Sequence, residues 1–104
     1  KLASPNREVC LFTEGTSFLY SARELETATR YNLPALTIVL NDSVSQRHDK
    51  DDKNAIDYAK IARGFKCFGE RIEKPDDVKS VFLRAKESRL PVVLDVLVPP
   101  VPTL

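Results

Sequence analysis

Three short apolar runs organise the chain: Val9-Cys10-Leu11-Phe12, Ala35-Leu36-Thr37-Ile38-Val39-Leu40 and Val92-Val93-Leu94-Asp95-Val96-Leu97-Val98. They are rich in β-branched residues and nearly continuous rather than alternating. That is the pattern of strands covered on both faces, as in a parallel sheet. A weaker fourth strand fits Lys66 to Ile72. Asp95 interrupts the third run, which predicts a strand near an edge or a helix end.

Helical periodicity fills the gaps. Ser21-Ala22-Arg23-Glu24 has the form of a capping box, with Leu25, Ala28 and Tyr31 on one face behind it and Asn32-Leu33-Pro34 as the stop. A shorter helix is predicted over Ile56 to Arg63, with Gly64 ending it. Pro75 opens the third, Asp76 and Asp77 sit in its first turn, and Val78, Val81, Phe82 and Ala85 form an i, i+3, i+4, i+7 stripe. The alternation β-α-β-α-β-α-β predicts an α/β fold: a Rossmann-like three-layer domain on a short, mainly parallel sheet of about four strands. Its body spans residues 1–98, and the Pro-rich segment 99–104 trails from it. Three helices barely cover both faces of such a sheet, and Lys1-Leu2-Ala3 reads like the end of a helix. The expectation is a piece of something larger.

Composition narrows the function classes. With 16 basic and 15 acidic residues the net charge is +1, which predicts neither a nucleic-acid surface nor a polybasic membrane anchor. Two cysteines, Cys10 and Cys67, and one histidine, His48, are too few for a zinc site or a disulfide framework. Both thiols are expected to be reduced and mostly buried, in a cytoplasmic protein. His48 belongs to the charge run Arg47 to Lys53 and reads as solvated. The phenylalanines read as core or interface, the tyrosines as packing edges, and Glu70 with Arg71 as a surface pair.

Candidate chemistry collects where two strands end. In open α/β sheets ligands bind beyond the carboxyl ends of the strands. Two such ends are polar: Thr13-Glu14-Gly15-Thr16-Ser17 and Asn41-Asp42-Ser43. If those strands are neighbours, Glu14 and Asp42 converge with two hydroxyls, a set of hard oxygen donors suited to magnesium beside a phosphate. The plainer alternative is that Asn41-Asp42 turns the chain and Glu14 is solvated.

The segment Glu14-Gly15-Thr16-Ser17-Phe18, followed by Glu24-Leu25-Glu26-Thr27-Ala28, Arg30-Tyr31-Asn32-Leu33-Pro34 and Val39-Leu40-Asn41-Asp42, resembles the cofactor signature of thiamine-diphosphate enzymes. The acetolactate synthase and benzoylformate decarboxylase branch is the most similar. The likeness continues through Asp57 to Ala62, Gly69 to Pro75 and Pro91 to Val96. It implies a pyrophosphate-type domain that holds thiamine diphosphate and Mg while the cofactor carries out decarboxylation or carboligation of 2-oxo acids. Carried over by position, the cofactor-binding residues are Glu14, Gly15, Thr16, Ser17 and Asn41, and the metal positions are Asp42 and Val44. The family's metal-binding aspartate falls on Gly15, because Glu14-Gly15-Thr16 stands where the family has Gly-Asp-Gly. The family also builds its active site between two chains and takes its activating glutamate from another domain. No catalytic residue is therefore expected here, and the chain alone is expected to be inactive. The implied partners are a second copy or the remainder of a parent enzyme. A non-catalytic interaction module is the competing reading, and a receiver-like switch with Asp42 as phosphoacceptor is a third.

Overall fold

The computed structural model describes residues 6–42 and 56–98. Among them are four strands, β1 (Cys10–Glu14), β2 (Leu36–Asn41), β3 (Phe68–Ile72) and β4 (Val92–Leu97). The helices are α1 (Gly15–Ser21), α2 (Glu24–Arg30), α3 (Tyr58–Gly64) and α4 (Val78–Ser88), the last preceded by a 3-10 turn at Pro75–Asp77. All pairings are parallel and the strand order is β1-β2-β4-β3. The predicted α/β class, parallel sheet and strand count all hold.

Strand alternation divides the core in two. Val39 and Val93 point to one face and pack with Phe18 of α1, Ala22, Leu25 of α2, and Tyr58 and Ala62 of α3. Val92 and Leu94 point to the other face and pack with Ile72 and with Val81 and Ala85 of α4. Only α4 covers that second face among the described residues. It leaves an apolar groove of about 630 Å³ over β1 and β2, lined by Phe12, Leu36, Ile38, Phe82 and Leu90.

Several local expectations need correction. Ser21 is not an N-cap. It ends α1, and its hydroxyl donates back to the carbonyls of Phe18 (3.3 Å) and Ser17 (3.4 Å). Glu24 opens a separate helix whose cap, Arg23, offers no side-chain acceptor. Tyr31 lies beyond α2 and is exposed. Residues 15–17, read as a strand-end loop, instead begin α1 directly. α3 starts two residues later than predicted, because Asp57 caps it by accepting from Lys60 N–H at 3.1 Å. Gly64 remains helical, and the left-handed residue after α3 is Lys66 (φ 64°). Glu70 and Arg71 do not pair with each other. As neighbours on a strand they face opposite sides, Glu70 toward Arg84 (2.9 Å) and Arg71 toward Asp95 (3.3 Å).

The thiols differ. Cys67 is buried, with its sulfur 3.4 Å from Thr29 Oγ1, and burial pushes its thiol pKa up. Cys10, expected to be buried, is exposed on edge strand β1. A disulfide-exchange dye is therefore expected to consume Cys10 in the native protein. Cys67 should react at least about a hundredfold more slowly, through opening of the fold. Equal rates, measured by absorbance or mass, would contradict this packing.

Candidate functional site

The polar residues named above meet at the carboxyl end of the sheet. β1 and β2 are adjacent and in register, with Glu14 opposite Leu40. Asn41 and Asp42 therefore follow one and two positions beyond the level of Glu14. Glu14 has extended backbone at the cap position of α1, and its carboxylate accepts from Ser17 Oγ at 3.2 Å. Gly15 and Thr16 are the first two residues of α1, and Ser17 completes its opening turn. Val44 and His48 lie outside the described residues, as do Pro99 to Leu104.

Asn41 is 1% exposed and turned inward. Its amide donates to Asp95 Oδ1 at 2.8 Å and to the carbonyl of Ile56 at 3.2 Å. Asp95 is 0% exposed and lies on β4, between β2 and β3. Of the two expectations for Asp95, the edge strand is corrected and the helix end holds: β4 is central, and the carboxylate meets the start of α3 and is tolerated there because the surrounding elements bring it donors. Its Oδ2 accepts from Tyr58 N–H (3.1 Å) and from Arg71 Nε and Nη2 (both 3.3 Å). Arg71 Nη2 also donates to Ile56 O at 3.0 Å. Burial raises the Asp95 pKa, and Asn41, Arg71 and the Tyr58 N–H oppose the rise without cancelling it. The end of β2, the start of α3 and the middle of β3 thus meet on one carboxylate.

Tyr58 links this network to the strand-end residues. It is 4% exposed and meets the edge of Phe18 with ring centroids 5.4 Å apart. Its phenol pKa is raised, first by burial and then by the charges of Asp95 and Asp42. The ring stands over Gly15. A Cβ built there would collide with Tyr58 Oη and lie 2.7 Å from Cζ and 3.0 Å from Cε2. The space an aspartate would need at position 15 is therefore filled by the phenol.

The fit to a magnesium diphosphate follows from these placements. Magnesium needs near-octahedral oxygen ligation, usually with one or two carboxylates. Among the described residues no group of three His, Cys, Asp or Glu side chains could hold a metal ion. Gly15 offers no ligand and no room for one. Glu14 sets a carboxylate at the opening of α1, where it would repel a diphosphate. At position 15 these residues lack the carboxylate that the resemblance implies for the metal, and Val44 lies outside the described residues.

Sequence reasoning missed Asp95, Arg71 and Tyr58. The signal was present in Asp95: a lone carboxylate within a run that is apolar on both faces must find buried partners. Arg71, inside a strand and on the same register level as Asp95, was the cation within reach.

Comparison with known proteins agrees with this architecture. Residues 1–96 match the profile described as "Thiamine pyrophosphate enzyme, C-terminal TPP binding domain". Acetolactate synthase of Bacillus subtilis (strain 168) is 34% identical over 106 residues, which are 91% of this chain and 19% of that protein. A 2-hydroxyacyl-CoA lyase of Oryza sativa subsp. japonica is 31% identical over 116 residues, covering 95% of this chain and 20% of its own length. The thiamine diphosphate-dependent 4-hydroxybenzoylformate decarboxylase of Rhodococcus jostii RHA1 superposes with a TM-score of 0.78 at 24% identity, over 94% of this chain and 21% of that one. The chain thus spans about a fifth of the length of the curated relatives it matches. By profile and by fold, it belongs to the family of C-terminal, thiamine-pyrophosphate-binding domains of thiamine pyrophosphate enzymes.

Proposed function

We propose that this chain keeps the scaffold of the cofactor-holding domain but has lost its acidic anchor for magnesium. On this reading it neither binds thiamine diphosphate tightly nor turns over a 2-oxo acid by itself. The observation that supports it best is the Tyr58 phenol over Gly15, which takes the volume of the missing side chain. Glu14 beside it and the inward commitment of the Asn41 amide point the same way. Asp42 alone supplies one carboxylate, the lower end of what magnesium usually takes. Activity of the decarboxylase or carboligase kind belongs, on this proposal, to longer relatives.

The test is a thermal-melt titration with thiamine diphosphate, with and without magnesium, repeated on Asp42→Ala. No saturable shift is expected at millimolar ligand. Binding at 100 times the dissociation constant would stabilise the fold by about 2.7 kcal/mol, about 10–20 °C in melting temperature for a domain of this size. A saturable rise that needs both ligands and disappears in Asp42→Ala would overturn the reading.

A second reading is a non-catalytic interaction module. It is favoured by one observation, the uncovered half of the sheet, where Phe12 is 65% exposed on β1, whose outer edge is unpaired among the described residues. Concentration-dependent association in sedimentation, unaffected by cofactor, is its signature.

A further inference from the structure

We propose that Asp95 is a positioning residue for the strand-end site, acting through Tyr58. It fixes where the phenol stands and so decides which side chains position 15 can carry.

Tyr58 is held at both ends. Its N–H, the first of α3, donates to Asp95 Oδ2 at 3.1 Å. That carboxylate serves α3 as an acceptor from outside the helix, beside its own cap, Asp57. The far end of the side chain is wedged between the Phe18 edge and Gly15. Asp95 cannot drift, because β4 is paired on both sides and Asn41 and Arg71 grip its two oxygens. Asn41 and Arg71 also both donate to Ile56 O, two residues before Tyr58, so backbone on either side of Asp57 is tied to the same cluster. With the ring buried and packed on Phe18, movement of the phenol away from Gly15 is coupled to the start of α3, which Asp95 holds in place. The substituent tolerated at position 15 is set from β4, on the far side of β2 from β1.

This predicts energetic coupling between positions 15 and 95, which meet different parts of Tyr58, its ring and its backbone. Folding equilibrium constants from urea titrations are measured for Gly15→Ala, Asp95→Asn and the double variant. Gly15→Ala alone is expected to lower the constant about tenfold, because the added methyl overpacks against the phenol. In the Asp95→Asn background the amide presents a donor to the cluster, the start of α3 loosens, and the same methyl should cost at least about fivefold less. In Tyr58→Leu, which removes the phenol, the penalty should shrink as well, and this identifies Tyr58 as the carrier. A general loss of stability at Asp95 would leave the Gly15 penalty unchanged. If Asp95→Asn does not fold, the cycle is run with Asn41→Ala, which removes one grip on the carboxylate and should couple with the same sign. Additivity within about twofold, or a Gly15→Ala penalty below twofold in the parent chain, overturns the inference. The readout contains no cofactor, so its failure is distinguishable from failure of the functional reading.

Discussion

Asp95→Ala is expected to remove about 3–5 kcal/mol of folding free energy, the usual cost of deleting one partner of a buried ion pair. The substitution strands several groups at once. Arg71, largely buried, loses its counter-charge, the Asn41 amide loses its 2.8 Å acceptor, and Tyr58 N–H loses its carboxylate. A domain of this size has only about 5–15 kcal/mol to lose, so the loss is a large share of the total and the urea midpoint should fall markedly. Urea titration followed by circular dichroism measures it, and a loss below about 1 kcal/mol would show that the cluster is not a keystone. Replacing both partners, as Asp95→Leu with Arg71→Met, should recover part of the loss, because an apolar pair leaves no unpaired charge. The pH dependence has a definite sign. Burial holds the Asp95 pKa above its ordinary value of 3.8. The contribution tied to its proton is complete below that ordinary value and is lost as pH rises through the folded-state value. Asp95→Asn should remove this component from a stability-versus-pH profile.

Gly69→Val should cost about 3 kcal/mol or more, for a reason that involves no charge. Gly69 lies in β3 directly beneath α3, where the helix presents Ala59 and Ala62, 1% and 0% exposed. A Cβ at position 69 would strike the Ala59 carbonyl oxygen and lie 3.1 Å from both Ala59 C and Ala62 Cβ. Backbone cannot swing aside as a flexible side chain can. The helix must lift from the sheet, which also strains the bond from Arg63 Nη1 to Gly69 O. Overpacking of a close core typically costs about 1–3 kcal/mol, and a rigid neighbour on one side places this case at or above the top of that range. Gly69→Ala should show the same effect at smaller size. A Gly69→Ala protein as stable as the parent in urea would mean that α3 sits farther from β3 than the structure has it.

The sheet was legible because its signal is redundant. Continuous β-branched runs, intervening helices and the right-handed crossover rule all constrain one answer. The clearest helix, α4, is legible from its Val81 and Ala85 stripe and from the proline that opens the 3-10 turn before it, where the sequence alone places the helix start. The errors lie where local chemistry allows two roles for one residue. Ser21 carries the residue type of a cap and is used as a back-bonding helix terminus. Gly15-Thr16-Ser17 has the composition of a loop, and the burial of Phe18 draws it into α1. Asp95 marks an edge or a helix end in the sequence, and its buried partners escape that reading because they come from other elements, 54 positions away at Asn41 and 24 at Arg71. The location of the strand-end residues followed from the α/β rule about carboxyl ends. The phenol over Gly15 did not, since it depends on how α3 packs against α1.

The central place of β4 bears on where the sheet can come apart. β4 supplies the pairing to β2 on one side and to β3 on the other. Without residues 92–97, β1 with β2 and β3 with its helices share no ladder. Damage to β4 therefore splits the sheet into two halves, whereas damage to β1 peels away only an edge.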